Sequence, residues 1–369
     1  MIRTLIVEPA GGLWGSERAL LDLIEAMPHL EIAVCCPPGT RLEVELKRRG
    51  ARVFPHFIAG LHQKPRLRRL EAAFGVLRAC LSFRPDVIHL NQSGAYRVTL
   101  PAATLLGLPV IGHVRIFEDA AYLARQNPDP RRLKGLIAIS RAIEEEILGF
   151  SSLSVPVHQI YDAYDAAPPE EATAIERVRG RIACVGRVVP IKNQELLLEA
   201  LTLMQTRSGG VECIIVGDGD SDYVGHLQKW ATRGESVRVE WLGFVDEITQ
   251  LLRTCQVLVC PSHREPLGRV IFEAWDAGAV PVVFSGSGGA AEIVAAANGG
   301  ILYDEQTPGS LAAALRDAMS LDEGRVEELV ENGRSWMTRN CNLRKAGGAV
   351  SKVLSEAGVP SAHSPTKVG

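Results

Sequence analysis

Residues 257–286 read VLVCPSHREPLGRVIFEAWDAGAVPVVFSG, two apolar runs separated by one helical pattern. The runs VLVC and AVPVVFS are almost wholly apolar, which is typical of parallel strands that helices cover on both faces. Between them, PSHREPLG predicts a loop and RVIFEAWDAG predicts a helix that ends at Gly278. The order strand, helix, strand predicts a β-α-β unit of a parallel sheet.

Similar apolar runs alternate with helical patterns along the whole chain. The first half has seven candidate strands: TLIVE, EIAVCC, ARVFPH, DVIHLN, PVIGHV, GLIAIS and VHQIYD. The second half has six: RIACVG, VECIIVG, VRVEWLG, QVLVCPS, AVPVVFS and GGILYD. Two such series predict an α/β protein of two doubly wound, Rossmann-like parallel-sheet domains that face each other across a cleft.

The domain boundary is expected in residues 162–180, where two consecutive prolines and several acidic residues suit an exposed connection. We expect a first domain over residues 1–163 and a second over residues 164–342. A C-terminal helix over residues 343–358 is expected to return to the first domain. The polar tail, residues 359–369, is expected to be disordered.

Composition excludes several classes of protein. A formal net charge of −3 gives no reason to expect nucleic-acid binding. No apolar run reaches the length of about 18 residues that a membrane-spanning helix needs, and the N-terminus lacks the pattern of a signal peptide. The eight cysteines include no C-x-x-C pair, so a zinc site is not expected and free core cysteines suit a cytoplasmic protein.

Ligands of open parallel sheets bind at the carboxyl ends of the strands, so the residues there are candidates for a site. RIACVG ends at Gly186 and is followed by Arg187, then by Lys192 further along the loop, and then by a helical pattern. Two cations beside a helix N-terminus predict a diphosphate site, although a surface loop with solvated cations is the simpler alternative.

The next strand ends also expose backbone groups. VECIIVG runs into the sequence GDGD at residues 217–220, which lacks the third glycine of a dinucleotide fingerprint and therefore gives little support to an NAD site. Gly217 still permits close backbone approach to a ligand or a helix. VRVEWLG ends at Gly243 and is followed by Phe244 and Val245, and we expect these three residues to contact a nucleobase edge.

The loop and helix of the opening stretch carry two carboxylates. Glu265 is followed by Pro266 and Gly268, and the backbone amides of Leu267 and Gly268 are expected to point outward at the start of the helix. Glu273 lies eight residues after Glu265 on the helix, where a carboxylate can accept two vicinal hydroxyls. This order predicts a pocket for a sugar at one end and a ribose at the other; the alternative is a helix with ordinary surface acids.

The pattern E-P-x-G-x-x-x-x-E-A resembles the signature of family 4 glycosyltransferases of the GT-B fold. Further motifs of that family follow in order along nearly the whole chain: Gly11-Gly12, PDVIHL (85–90), LPVIGH (108–113), IAIS (137–140), G-R-x-x-x-x-K (186–192) and VGDG (216–219). Two positions depart from the family pattern, because its N-G-V-D segment reads DAYD at residues 162–165 and its usual aromatic after E-P is Leu267. These departures leave the identity of the sugar open.

The resemblance implies a role for each matched residue. Arg187 and Lys192 would neutralise the donor diphosphate, Glu273 would hold the ribose, and Glu265 would bind hydroxyls of the donor sugar. His113, placed after the strand PVIG, would face the sugar, although a lone histidine at a strand end is as often structural. The loop at Gly11 and Gly12 would lie against the phosphates and shape the acceptor side. The family retains the anomeric configuration and uses neither a metal nor another cofactor.

The resemblance implies a retaining transferase of polysaccharide biosynthesis that moves a sugar from a UDP- or GDP-sugar to a glycan or lipid-linked acceptor. Front-face attack is favoured over a covalent intermediate, for which Glu265 is the one candidate nucleophile in the motif. The alternatives are a nucleotide-sugar epimerase, a sugar phosphorylase or a non-catalytic nucleotide-sugar-binding subunit. An NAD dehydrogenase is the last alternative.

Residues 64–84 read KPRLRRLEAAFGVLRACLSFR, with six Lys or Arg residues and one acid, Glu71. Their apolar residues recur at helical spacing: Leu67, Leu70, Phe74, Leu77 and Leu81. The simpler interpretation is a helix that packs these residues on the sheet and leaves its basic residues in solvent. The second hypothesis is contact with anionic lipid at the inner face of the cell membrane.

Overall fold

The computed structural model describes residues 2–56, 66–166, 177, 178, 180–204, 211–231 and 237–358. Contacts divide the chain into an N-terminal unit, Met1–Ala163 with Leu343–Gly369, and a C-terminal unit, Tyr164–Asn342. Much of the predicted linker and the whole predicted tail lie outside the described residues.

The N-terminal unit is built on one parallel sheet with the strand order β3-β2-β1-β4-β5-β6-β7. Its elements are β1 (Arg3–Val7), α1 (Gly15–Glu25), β2 (Glu31–Cys36), α2 (Arg41–Arg48), β3 (Arg52–Pro55), α3 (Arg66–Phe83), β4 (Val87–Leu90), α4 (Tyr96–Leu106), β5 (Val110–Val114), α5 (Phe117–Gln126), β6 (Leu133–Ala138), α6 (Arg141–Leu148) and β7 (Val157–Gln159).

The C-terminal unit has a second parallel sheet with the order β10-β9-β8-β11-β12-β13. Its elements are β8 (Arg181–Val185), α7 (Gln194–Thr202), β9 (Val211–Val216), α8 (Ser221–Ala231), β10 (Val237–Gly243), α9 (Ile248–Arg253), β11 (Val257–Cys260), α10 (Arg269–Ala277), β12 (Val280–Phe284), α11 (Gly289–Ala297), β13 (Ile301–Tyr303), α12 (Pro308–Ser320) and α13 (Glu323–Asn340). One further helix, α14 (Leu343–Gly358), belongs to the N-terminal unit.

Every predicted strand is present, and two doubly wound parallel sheets are confirmed. Helices cover both faces of each sheet, so the inner strands are mostly buried and need the uniformly apolar sequence from which they were predicted, whereas the edge strands β3 and β7 are partly exposed. In each unit the chain winds outward from the middle of the sheet in both directions. The strand order reverses between β1 and β4 in one sheet and between β8 and β11 in the other, and a crevice opens at the carboxyl ends of such strands.

Helix α3 contradicts the expectation that its large apolar residues face the sheet. Its buried residues are mostly small: Ala72, Val76, Ala79, Cys80 and Phe83. Leu70, Phe74 and Leu81 are 67%, 66% and 58% exposed, and the side chain of Leu67 lies outside the described residues. The spacing of the large residues is helical, but Leu70, Phe74 and Leu81 point to solvent and Leu77 is half-buried, because small residues let α3 approach the sheet closely.

Helix α14 packs against α1 and the strands β4, β5 and β6. A side chain at Gly347 would lie 2.3 Å from the carbonyl oxygen of Ala26, so glycine permits the close contact of the two helices. In the described part of the chain, no helix combines the length and the apolar character that crossing a bilayer requires. All eight cysteines are buried thiols.

Candidate active site

The crevice between β8 and β11 gathers the charged residues that the sequence placed at separate strand ends. The loop after β8 carries Gly186 and Arg187 and then forms a short 3₁₀ turn, Pro190–Lys192. The loop after β11 carries Ser262 and Glu265. Because β8 and β11 are neighbours in the sheet, residues 73 positions apart in the chain reach each other here.

Lys192 and Glu265 form a partly buried ion pair in this crevice. The Lys192 Nζ donates a hydrogen bond to Glu265 Oε2, and the Ser262 hydroxyl donates to the same oxygen at 3.1 Å. The lysine side chain is 24% exposed and the glutamate side chain 10%. The pair therefore keeps one open side, through which its polar atoms can contact a ligand.

Burial and charge oppose each other at Lys192. Burial lowers the pKa of its ammonium, but the charge and hydrogen bond of Glu265, together with Cys260, raise it, and the net pKa lies above the ordinary 10.5. The positive charge at this end of β8 is therefore permanent at neutral pH. Cys260 lies 3.8 Å from Glu265 Oε2, and its pKa is raised to about 11 by burial and then by that carboxylate, so it is a neutral thiol.

The loop from Glu265 to Gly268 is fixed by its own backbone. The Glu265 amide donates to the carbonyl of Ser287 at 2.6 Å, in the loop after β12. A side chain at Gly289 would stand 2.0 Å from the Pro266 carbonyl oxygen, so the two loops touch through their backbones. Gly268 adopts a left-handed conformation with φ +79° directly before α10 begins, which only glycine adopts at little cost.

Leu267 and Glu273 take different positions around this loop. The Leu267 side chain is buried, so this residue offers a ligand only its backbone. Glu273 lies half-buried on the second turn of α10. Gly278 ends α10 in a left-handed conformation, and the predicted stop is confirmed.

Aromatic packing holds α10 in place. Trp275 is fully buried and donates from its indole nitrogen to the carbonyl of Gly299 at 2.6 Å. Arg334 donates to the carbonyls of Trp275 and Asp276 at the C-terminal end of the helix, where a cation also complements the helix dipole. Tyr164, from the segment that departs from the family pattern, packs edge-on against Phe272 with 5.7 Å between ring centres. The position of Glu273 on α10 thus depends also on packing with residues that lie outside the E-P-x-G-x-x-x-x-E-A motif.

The glycines at the neighbouring strand ends fit against each other. A side chain at Gly217 would lie 1.9 Å from the carbonyl oxygen of Gly186, and the Gly217 amide donates to the carbonyl of Gly243 at 2.7 Å. We expected Gly217 to admit a ligand or a helix, but in the structure it admits the backbone of the loop after β8. This contact fixes the position of Gly186, whose φ of +147° also favours glycine.

The remaining predicted residues of this unit lie at the same edge of the sheet. Arg187 is exposed, and its carbonyl accepts a hydrogen bond from the Gln194 side chain at 3.0 Å. Phe244 and Val245 are half-buried after β10, the outermost strand on one side. The cations and the carboxylates are thus grouped near the β8/β11 crevice, with Phe244 and Val245 two strands away from β8.

In the N-terminal unit, the Gly11–Gly12 loop follows β1 beside the β1/β4 crevice. The buried carboxylate of Glu8 accepts a hydrogen bond from the Ala10 amide at 2.7 Å and so holds the start of this loop. The Gly11 carbonyl accepts from the Leu42 amide at 3.3 Å. The loop is anchored at both ends, and both glycines are half-buried.

His113 does not lie where the sequence placed it. The strand β5 extends to Val114, so His113 lies inside the strand instead of after it, and it is buried. Its Nδ1 lies 3.3 Å from His89 Nε2, and the two rings are stacked with 5.4 Å between their centres. Burial, followed by the charge of Arg115 and by His89, moves the pKa of His113 well below 6.5, so the ring is neutral at physiological pH.

The sequence analysis missed a buried polar network in this unit. Asn91 donates to Glu8 at 2.5 Å, and Arg115 donates to Asn91 Oδ1 at 2.9 Å and to Asp162 at 2.5 Å. Glu8 and Asn91 each directly follow a strand, and Arg115 directly follows β5. The first polar residue after an apolar run was therefore the available signal for all three residues.

No group of three or more His, Cys, Asp or Glu side chains in the described ranges is arranged to hold a metal ion. Lys192 and Arg187 both place positive charge at this crevice.

Two family models match the chain, one in each half. Residues 15–162 match the glycosyl transferase 4-like domain, and residues 171–336 match glycosyl transferases group 1. Among curated relatives, the glycosyltransferase MJ1607 of Methanocaldococcus jannaschii is 31% identical over 54% of this chain and 54% of its own length. A GDP-mannose-dependent α-(1-6)-phosphatidylinositol monomannoside mannosyltransferase of Mycobacterium tuberculosis is 32% identical over 43% of each chain. The chain thus spans about half the length of these relatives.

Solved structures show the same architecture. HepE of Anabaena, crystallised with UDP and glucose, superposes with a TM-score of 0.81 at 22% identity, covering 96% of this chain and all of that one. At 22% identity this superposition shows a shared fold only, and that fold is GT-B. With both halves matched by transferase family models and the charged motif assembled at the β8/β11 crevice, the chain belongs to the family 4 glycosyltransferases.

Proposed function

We propose that this glycosyltransferase moves a sugar from a UDP- or GDP-sugar to a glycan or lipid-linked acceptor, with retention of anomeric configuration and without a metal ion. The observation that carries the proposal is the Lys192–Glu265 pair at the β8/β11 crevice. It sets a permanent cation and a sugar-binding carboxylate side by side, at the place where an open parallel sheet binds its ligand.

Each charged residue of the crevice has a part in this proposal. Lys192 and Arg187 neutralise the diphosphate and the charge that grows on it as the sugar leaves, as preorganised electrostatic stabilisers do. Glu265, already oriented by Lys192 and Ser262, accepts hydrogen bonds from hydroxyls of the sugar. Glu273 binds the ribose. Gly11 and Gly12 contribute backbone amides to the phosphates or to the acceptor.

The reaction proceeds on one face of the sugar. The bond between the anomeric carbon and the phosphate oxygen breaks, and its electron pair stays on the departing nucleoside diphosphate. The acceptor oxygen forms the new bond to the anomeric carbon on the same face, and its proton passes to that phosphate oxygen. The protein supplies position and charge, and Glu265 remains a binding residue because Lys192 and Ser262 already occupy its Oε2.

A thermal-shift screen tests the donor site. The M. tuberculosis relative is named for GDP-mannose and the HepE structure holds UDP, so UDP, GDP, ADP and their sugars are the appropriate panel. A nucleotide at 100 times its Kd stabilises the protein by about 2.7 kcal/mol. We expect one nucleotide to raise Tm and Lys192→Met to abolish the shift. A shift that Lys192→Met leaves unchanged would refute the placement of the diphosphate.

Two variants separate nucleotide binding from sugar transfer. Glu273→Ala should weaken the affinity for the bare nucleoside diphosphate, measured by calorimetry, because the ribose hydroxyls lose their acceptor. Glu265→Ala should keep that affinity and lower turnover about 100-fold or more. Equal effects in both assays would contradict the division of roles. An epimerase would change the sugar without releasing a nucleoside diphosphate, so release of that product only with acceptor present distinguishes a transferase.

We further propose that α3 rests on an anionic membrane at the cytoplasmic face, where a lipid-linked acceptor is available. Leu70, Phe74 and Leu81 form an exposed apolar stripe along one side of α3, and residues 64–84 hold six cations against one acid. Apolar side chains beside clustered cations are the features with which interfacial helices bind anionic bilayers.

Sedimentation with phosphatidylglycerol vesicles tests this surface. Leu70→Ser with Phe74→Ser should lower binding at least about 10-fold, and high salt should weaken the wild-type binding. Leu148→Ser on α6 is the matched control, because Leu148 is equally exposed at 66%. Equal losses in the control, or binding to neutral vesicles alone, would contradict the proposal.

A further inference from the structure

The guanidinium of Arg115 sits at the centre of the buried network in the N-terminal unit. Its Nε donates to the Asn91 carbonyl at 2.9 Å, and its Nη1 donates to Asp162. Its Nη2 donates to Asn91 Oδ1 at 2.9 Å and also lies 3.5 Å from His113 Nδ1. Arg115, Asn91, Asp162 and His113 are all buried, so neither water nor a rotamer change easily alters this arrangement.

The neighbours of His113 Nδ1 determine which ring nitrogen carries the proton. An arginine guanidinium has five N–H donors and no acceptor, so the nitrogen that faces Arg115 Nη2 must present a lone pair. His89 Nε2 approaches the same Nδ1 at 3.3 Å, and with that lone pair it can only be the donor. A single proton on the neutral His113 ring therefore resides on Nε2.

We infer that Arg115 is a positioning residue that holds His113 as the Nε2–H tautomer, so that His113 donates a hydrogen bond to an oxygen of the nucleotide-sugar and does not accept a proton. This inference rests on the proposed function for the identity of the ligand. The tautomer itself follows from the contacts of Arg115 and His89 alone.

The Nε2 atom of His113 supports a hydrogen bond from this ring to a ligand. His113 Nε2 is buried and has no hydrogen-bond partner in the described part of the chain. An N–H group left unpaired away from water carries a desolvation cost, and native structures seldom leave such a donor unsatisfied. A ligand oxygen would satisfy it. The electrostatics agree, because burial and the charge of Arg115 both keep the ring neutral.

The tautomer can be measured on the ligand-free protein, independently of any activity. Nitrogen-15 NMR of histidine-labelled protein, with His113 assigned from the spectrum of His113→Gln, should show Nδ1 unprotonated and Nε2 protonated from about pH 6 to pH 8. Arg115→Lys keeps a cation and should keep this tautomer. Arg115→Gln should give a mixture or a ring that titrates. A protonated Nδ1 in the wild type would overturn the inference even if transferase activity is established.

A pair of substitutions at His113 tests the hydrogen bond without disturbing Arg115. The amide nitrogen of glutamine reaches about as far as Nε2, whereas that of asparagine reaches about as far as Nδ1. His113→Gln should therefore keep turnover within about 10-fold of wild type, and His113→Asn should lose about 100-fold or more. Equal losses, or a better asparagine variant, would overturn the inference.

Binding measurements then locate the acceptor oxygen. If His113→Asn weakens UDP-glucose or GDP-mannose but leaves UDP or GDP unchanged, the oxygen belongs to the sugar. If both the nucleotide and its sugar weaken, the oxygen belongs to the diphosphate. Unchanged affinity for all four, with unchanged turnover, would show that His113 is structural and would overturn the inference.

Discussion

Breaking the Lys192–Glu265 pair in the ligand-free protein should destabilise the C-terminal unit by an amount that depends on which partner is removed. Lys192→Met leaves the carboxylate of Glu265, 10% exposed, with the Ser262 hydroxyl and the weakly donating Cys260 thiol as the remaining partners shown for Oε2. Glu265→Gln leaves the ammonium of Lys192, 24% exposed, beside a neutral amide oxygen. The more buried charge is the more costly one to leave unpaired.

The magnitude lies between two limits. Exposed ion pairs contribute about 0–1 kcal/mol, and removing one partner of a fully buried pair costs about 3–5 kcal/mol. With the exposures above, we expect a loss of about 2–3 kcal/mol for Lys192→Met and about 1–2 kcal/mol for Glu265→Gln. The double variant should be less destabilised than the sum, with a coupling energy of about 1–2 kcal/mol.

Urea unfolding monitored by tryptophan fluorescence is a suitable assay. Four of the five tryptophans lie in the C-terminal unit, so a Trp14→Phe background reports on that unit alone. This matters because two units need not unfold in one step. A coupling energy below about 0.5 kcal/mol, or a larger loss for Glu265→Gln than for Lys192→Met, would refute the reasoning.

The same pair predicts an alkaline limit to stability. The pKa of Lys192 is raised in the folded protein, so the folded state binds its proton more tightly than the unfolded chain does. Its contribution is fully present below pH 10.5 and is lost as the pH rises through the folded-state pKa. The Lys192→Met variant should show less loss of stability in that range.

Further predictions concern backbone contacts at Gly217 and the buried, ionisable side chain of Glu8. Gly217→Ala should destabilise the protein by about 2–5 kcal/mol, because its new methyl group would meet the Gly186 carbonyl oxygen at 1.9 Å and its φ is +134°; urea midpoints measure this. Gly225→Ala is the control, since nothing lies within 4 Å of the added carbon and helix propensity should stabilise it by about 0.5–1 kcal/mol. Burial, and then Glu17, raise the pKa of Glu8 to about 8, so the folded state holds an extra proton between about pH 4.5 and pH 8 and stability falls as the pH rises through that window. Glu8→Gln should flatten this dependence, which has a maximum slope of about 1.4 kcal/mol per pH unit; an unchanged slope would contradict the shift.

The strands and the residues at their ends were predictable because both are local properties of the chain. A strand covered on both faces needs an apolar run, and the first polar residues after it lie at the edge where ligands bind. Arg187 was found in this way, and Lys192 and Glu265 lie further along the loops that follow two such strands. Glu8, Asn91 and Arg115 obey the same rule in the first half of the chain.

Helical periodicity was a weaker guide to orientation. The spacing of Leu70, Phe74 and Leu81 established a helix with an apolar stripe, but the periodicity of α3 does not tell which side faces the sheet. Close approach selected the small residues Ala72 and Ala79 for the buried side. Tertiary packing therefore placed the small residues of α3 against the sheet and left large apolar residues in solvent, opposite to the expectation. This exposed apolar side of a basic helix is what makes α3 a candidate membrane-binding surface.

The sequence by itself determined two parallel α/β sheets, the ends of their strands and the charged motif of a glycosyltransferase, since each depends on neighbours within a few positions. The tertiary structure alone decided which of those ends meet. Strand order set β8 beside β11 and joined Lys192 to Glu265, and it set β4 beside β5, which brought His113 to His89. Contacts between residues so distant in the chain depend on how the crossover helices order the strands, and no local pattern of residues encodes that order.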